Sequence, residues 1–287
     1  MEDSAFADRA RHQAWTIAVK LSRSLLAALV FGYAFLFIPV GLLVLTSFND
    51  SRMTTVLSGL SWRWYGTLWH DGQLKAAGLL SLEVAALSAT GATILGTAAG
   101  VVLERFGRVR GRGVLDMLIA TRLVLPDVLI GLSLLLLFVA SEQFIGFPAQ
   151  RGAITIAVAH ISFSLSYVAV VVRARLEGSG TELEEAAMDL GCTPAGAFFR
   201  ITLPLLAPAL LSGWLLAFTL SLDDLVVASF VSGPGASTLP MVVFSSLKLG
   251  ATPELNALAT IILLFVSTAL IGAWLVQQRA TAKGRPG

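Results

Sequence analysis

Six stretches of the chain run almost without charge for 20 residues or more, near residues 25–47, 77–103, 114–140, 152–172, 207–231 and 256–276, and polar residues collect between them. A run of about 20 apolar residues is the length of α-helix that crosses the hydrocarbon core of a bilayer. The pattern predicts an all-α, polytopic membrane protein with six transmembrane helices. An even number of spans leaves both termini on one side. The first run follows Arg9, Arg11, Lys20 and Arg23, is too long for the core of a signal peptide, and is not closed by a small-x-small cleavage site. It is expected to remain as a span, giving a flanking segment 1–24, a membrane domain 25–276 and a tail 277–287.

The connection between the fourth and fifth runs is different in character: residues 183–204 read LEEAAMDLGCTPAGAFFRITLP. Thr181 followed by Glu184 has the spacing of a capping box, which predicts a helix from there through Leu190. Gly191 then supplies the positive φ of a helix end. Thr193 and Pro194 read as the N-cap and first residue of a second short helix, which Leu203-Pro204 would lead into the fifth span. A helix-turn-helix is expected over about 181–205.

Composition agrees with the hydropathy pattern. Hydrophobic residues make up 56% of the 287 and charged residues only 13%, against about 25% charged in an average soluble domain. The net charge of +2 and the lack of a basic stripe give no reason to expect nucleic acid as a partner. Cys192 is the single cysteine, so no internal disulfide can form, and it reads as a small filler. Lys and Arg are unevenly placed. With the N-terminus inside, fourteen fall in inner segments and five in outer ones (Arg52, Arg63, Lys75, Arg151 and Lys248), while Arg122 lies within the third run. Positive residues are retained in the cytoplasm, so both termini and the 181–205 connection are expected there.

Glu185-Ala186-Ala187, then Gly191, then Ile201-x-Leu203-Pro204 resemble the EAA loop of membrane-spanning permease subunits of binding-protein-dependent ABC importers. The stretches LVLPDVLIGLSLLLLFVA, SGWLLAFTLSLDDLVVASFVSGPG and TLPMVVFSSLKLG are similar to the polyamine branch of that family, most of all to the second permease subunits of bacterial putrescine importers. The resemblance spans about residues 30–275. It implies a type I ABC importer permease fold in the bacterial inner membrane, with Glu185, Ala186, Ala187, Gly191, Ile201, Leu203 and Pro204 forming the coupling surface for a cytoplasmic ATPase dimer. It also implies a second permease subunit and a periplasmic polyamine-binding protein. One position departs: Arg122 stands where a Pro is expected, so the cytoplasmic half of span three is expected to pack differently.

No G-x-x-x-x-G-K-[ST] occurs, so the chain has no P-loop for ATP phosphates. ATP and Mg are expected on the partner ATPase, and no cofactor, metal set or catalytic group is expected on this chain. Substrate chemistry must then be sought among intramembrane polar residues. Asp223 and Asp224 lie well inside the fifth run, where each carboxylate costs roughly 2.5 to 3.5 kcal/mol on insertion scales. They are expected to face a cavity or a partner helix, one of the two lining the path, since consecutive helical residues diverge by about 100°. A structural hydrogen bond to a neighbouring helix is the alternative. Asp127, after Pro126 in the third run, is a further candidate, and Glu83 in the second a weaker one. Trp62, Trp64, Tyr65 and Trp69 read as interfacial belt residues rather than an aromatic cage. Gly96-x-x-x-Gly100 reads as close helix packing.

Two other classes are weighed. An intramembrane serine hydrolase built on Ser133 and His160 lacks identifiable oxyanion donors, and Ser in an apolar helix usually bonds back to its own backbone. A self-sufficient secondary transporter would leave the EAA loop unexplained.

Overall fold

The computed structural model describes residues 23–51, 58–107, 110–250 and 252–283; residues 1–22 and 284–287 of the two expected flanking segments lie outside these. Helices carry the fold, and among the described residues β-structure is limited to the isolated bridge between Asn49 and Leu60. Each of the six apolar runs falls on helix, the third and fifth in two pieces, and the described residues divide into two compact units.

The first unit comprises residues 23–68 with 252–283. It contains α1 (Arg23–Ser47), most of the short α2 (Arg63–His70) and α12 (Pro253–Lys283). Asn256 donates from Nδ2 to Thr46 Oγ1 at 3.0 Å, tying α12 to the end of α1. The segment after α1 is closed by aromatic side chains with polar ends. Trp64 is buried and donates to the Asn49 carbonyl at 2.6 Å, and Tyr65 Oη lies 2.8 Å from Ser47 Oγ. Trp62 and Trp69 are exposed, as belt residues are, but Trp64 is a core anchor.

The second unit, Trp69–Gly250, holds α3 (Gly72–Arg105), α4 (Arg112–Val124), α5 (Asp127–Ile145), α6 (Ala153–Glu177), α7 (Glu182–Asp189), α8 (Pro194–Ala197), a π turn (Phe198–Thr202), α9 (Leu203–Asp223), α10 (Val226–Val231) and α11 (Leu239–Leu249). Helix α3, capped by Asp71 through the backbone N–H groups of Gln73 and Leu74, has 34 residues. At 1.5 Å per residue it reaches about 50 Å, well beyond a hydrocarbon core of about 30 Å. Its far end therefore projects Arg105 out of the bundle toward the α6–α9 connection.

Small residues bring α3 against α6. A Cβ on Gly96 would lie 2.7 Å from the Leu165 carbonyl oxygen, and one on Gly100 2.9 Å from that of Ala169. The two helices meet backbone to backbone, the packing expected of Gly96-x-x-x-Gly100. Ala89, Ala92, Val168, Val172, Leu206 and Ala217 continue this core into α9. A second core of Ile130, Phe138, Ile156, Phe163, Val227 and Val231 joins α5, α6 and α10. Many helix hydroxyls are satisfied internally, as a water-free medium favours: Thr93 and Thr97 bond back one turn, and Trp214 Nε1 donates to Thr90 Oγ1 across α9 and α3.

Two expected spans are each broken in two. The third is interrupted at Leu125–Pro126, with Leu125 extended at φ −67°, ψ 135°. Proline removes a donor and pushes the residue before it out of the helical region. The fifth stops at Asp223 without any Pro or Gly, because the Asp224 side chain caps the following short helix: its Oδ1 accepts from Val227 N at 3.3 Å and its Oδ2 from Ala228 N at 2.7 Å. A short polar side chain offered the backbone an alternative to continuing the helix.

The α6–α9 connection forms the expected helix-turn-helix with one correction. The capping box does not form: Thr181 makes no capping bond to the backbone and donates instead to Glu185 Oε1 at 2.7 Å. Glu184 is drawn away by non-local partners, accepting from Arg105 Nε at 3.2 Å and Thr202 Oγ1 at 2.9 Å. The helix end is as expected. Gly191 has φ +85°, its N–H reaches the Met188 carbonyl and the Cys192 N–H that of Ala187, the two bonds of a Schellman motif. Thr193 caps α8 through Gly196 N at 3.1 Å. The π turn then precedes Pro204, whose ring would otherwise crowd the carbonyl four residues back.

Candidate functional site

The two helix breaks share one cavity. It has a volume of about 300 Å³ and is lined by Arg122, Asp127, Phe163, Tyr167, Asp223 and Asp224, with Leu220, Leu225 and Val226. Three carboxylates thus face one guanidinium. Helix α9 ends at the cavity with its last carbonyls, which carry the negative end of the helix dipole. The electrostatic character suits a cation.

The carboxylates are not equivalent. Asp127, at the first position of α5, lies 3.3 Å from Arg122. Asp224, whose side chain is only 8% exposed, holds α10 and also lies 3.2 Å from His160 Nε2, out of line for a hydrogen bond. Asp223 is exposed at the cavity and makes no ion pair among the described residues. The expectation that only one of the adjacent pair would line the cavity is corrected: the helix ends between them, so both do, with different tasks.

His160 is fully buried, its Nδ1 2.6 Å from Ser221 Oγ, which in turn lies 2.9 Å from Ser88 Oγ. The chain Ser88–Ser221–His160–Asp224 joins α3, α9 and α6 behind the cavity wall. Sequence reasoning missed it; a lone His and two Ser on apolar helices give no local signal. The Ser–His–Asp order is not a hydrolytic site, since Ser221 is buried among these partners and the mooted Ser133 donates to the Leu129 carbonyl at 2.7 Å. Glu83 lies elsewhere, in a cavity of about 510 Å³ with Gln73, Ser237 and apolar neighbours.

The residues of the EAA-like segment gather around the Gly191 turn. Glu185, Ala186 and Gly191 are exposed, Ala187 is half-buried, Ile201 and Leu203 are half-buried at the π turn, and Pro204 is exposed. Large apolar side chains stand out beside them: Leu190 is 90% exposed, and Leu183 and Phe199 are also open. These last were not singled out in the sequence.

Long apolar helices, two expected spans among them interrupted at an acidic cavity, and an exposed helix-turn-helix make this a polytopic membrane protein. Residues 92–280 match the family described as "Binding-protein-dependent transport system inner membrane component". The chain belongs to that family, the permease subunits of ABC importers. It is 57% identical over 252 residues to the putrescine transport system permease protein PotI of Escherichia coli (strain K12), covering 88% of this chain and 90% of the relative. It is 41% identical over 239 residues to the spermidine/putrescine transport system permease protein PotC of Haemophilus influenzae, covering 83% and 90%. The fold matches a bacterial ABC transporter that imports alginate, with a TM-score of 0.62 at 16% identity over 90% of this chain and 98% of that one. It also matches an amino acid ABC transporter, with a TM-score of 0.53 at 19% identity over 75% and 98%.

Proposed function

We propose that the chain forms part of the path by which a polyamine, putrescine in the first place, crosses the bacterial inner membrane. The observation that carries this reading is Asp223: an unpaired carboxylate at a helix break, facing a cavity with Asp127 and Asp224. An ammonium group stripped of water needs an anionic partner, and a carboxylate placed within a membrane span needs a countercharge. The names of the two relatives above support the cargo class.

In this reading residues 25–276 form one permease domain, and the segments 1–24 and 277–287 are cytoplasmic. A second permease subunit completes the pore, a periplasmic polyamine-binding protein delivers cargo, and a cytoplasmic ATPase dimer binds ATP and Mg. Glu185, Ala186, Ala187 and Gly191 dock on that ATPase, with Leu190 and Phe199 adding apolar contact; Ile201, Leu203 and Pro204 set the exit into α9. ATP-driven closure would move α7 and α8 as a rigid body. Glu184 transmits the push at two points, through Arg105 to α3 and through Thr202 to α9.

Purification of the tagged chain from its native membrane, with mass spectrometry of what accompanies it, should recover an ATPase and a polyamine-binding protein. Uptake of polyamine by this chain alone in vesicles, without nucleotide, would instead establish a secondary transporter.

A further inference from the structure

We propose that Arg122 is a specificity-determining residue of the acidic cavity, a tethered cation that already fills one ammonium site and so limits how many charges a cargo can bring. The inference rests on the reading of this cavity as part of the substrate path.

Arg122 lies in the last turn of α4, where the helix dipole favours a cation. Its guanidinium is 3.3 Å from Asp127 and its Cζ 5.0 Å from the centroid of the Phe163 ring. A carboxylate on one side and an aromatic face on the other are what an alkylammonium group seeks when it leaves water. The side chain is 12% exposed, and its Nε is buried without a partner. An orphaned buried donor is a poor design for a purely structural tie, which would satisfy the whole fork. The geometry is that of a cation site occupied from within.

The consequence is a charge count. Asp127 is engaged by Arg122, and Asp224 by α10 and His160. The Asp127 side chain is 58% exposed but has its charge countered by Arg122, whereas Asp223 is the cavity carboxylate without a cationic partner among the described residues. A further ammonium arriving near the start of α5 meets Arg122 as a like charge. A diamine can keep its second ammonium away from that end, whereas a triamine has less freedom to do so. With Arg122 neutral, Asp127 and Phe163 become a free second ammonium site, and the more highly charged cargo gains more.

The test uses the complete importer in proteoliposomes, with putrescine and spermidine as probes and the same binding protein in every arm, so that its own preference cancels in the ratio. Arg122→Gln should raise the ratio of spermidine to putrescine uptake on the order of tenfold, equivalent to about 1.4 kcal/mol. Arg122→Lys should leave the ratio near wild type. The double variant Arg122→Gln, Asp127→Asn should lose the gain, because the vacated site is no longer anionic. An unchanged ratio in assembled Arg122→Gln complexes overturns the proposal. If that variant does not assemble, Arg122→Met is read in the same way. Failure of both neutral variants beside a normal Arg122→Lys would make the cation a structural tie to Asp127 and overturn it too. Wild-type complexes that transport neither probe would overturn the cargo reading itself.

Discussion

Asp224 and His160 meet at 3.2 Å behind the cavity wall, while the same carboxylate accepts from the Ala228 backbone N–H at 2.7 Å. Asp224 is thereby committed to holding α10 in place. Loss of a side-chain cap costs about 0.5 to 2 kcal/mol, and a buried His left facing an apolar surface adds to that. Asp224→Ala should reduce the amount of assembled complex and lower its melting temperature in detergent, both read by size-exclusion fluorescence. Wild-type assembly and melting in this variant would show that the cap is dispensable.

Asp223 should behave in the opposite way. Asp223→Asn keeps shape and hydrogen-bonding reach but removes the charge facing the cavity. Losing one partner of a desolvated ion pair costs on the order of 2 to 5 kcal/mol, so uptake per assembled complex should fall by roughly tenfold or more while assembly holds. Uptake equal to wild type would remove Asp223 from the substrate path.

Gly191 separates backbone strain from surface docking. No heavy atom lies within 4 Å of the place a Cβ would take, so space is not the constraint, but φ is +85°. Asn tolerates that conformation better than other side chains. Gly191→Asn should therefore retain the turn and part of the transport. Gly191→Asp should abolish uptake while the subunit still inserts. Transport at the wild-type rate in the Asp variant would sink the coupling assignment.

At Gly96 the limit is steric. A Cβ there would sit 2.7 Å from both the Leu165 carbonyl oxygen and Val168 Cβ, and the carbonyl cannot swing aside as a side chain could. Overpacking of this kind typically costs 1 to 3 kcal/mol, occasionally more. Gly96→Val should cut the yield of folded subunit several-fold, whereas Gly78→Val on the same helix, where an added Cβ would meet nothing within 4 Å, should not. Equal yields from the two variants would contradict the close α3–α6 contact.

The distribution of positive charge predicts a membrane orientation with both termini inside. Single cysteines near Arg63 and Lys248 in a Cys192→Ser background should react with an impermeant maleimide added to intact cells, and cysteines near Arg110 and Glu185 should react only after lysis. Labelling of the 185 position from outside would invert the topology and remove the ATPase contact with it.

Local chemistry carried much of the fold into the sequence. Apolar runs mark the long helices, Gly191 and Thr193 mark the turn, and Pro126 stands inside a run that reads as one span although the helix breaks there. What escaped was decided by residues distant along the chain. Glu184 left its capping role because Arg105 and Thr202 reached it first, and His160 meets Ser221 and Asp224, more than 60 residues further along the chain. The break at Asp224 was missed for another reason. An Asp in an apolar run was weighed as an insertion cost, although the same side chain is one of the better helix caps.

The contact of α3 and α6 through Gly96 and Gly100 restricts where the molecule can change shape. With carbonyls rather than side chains at the seam, there is no soft layer on which those helices could slide, so they form a stiff spine. Freedom is left where the helical hydrogen-bond ladder is interrupted, at Leu125–Pro126 and at Asp224–Leu225, on either side of the acidic cavity. The half-helices beyond those joints, α5 and α10, share one buried core with α6, so any movement at the joints carries the pair together over α6 while the spine stands still.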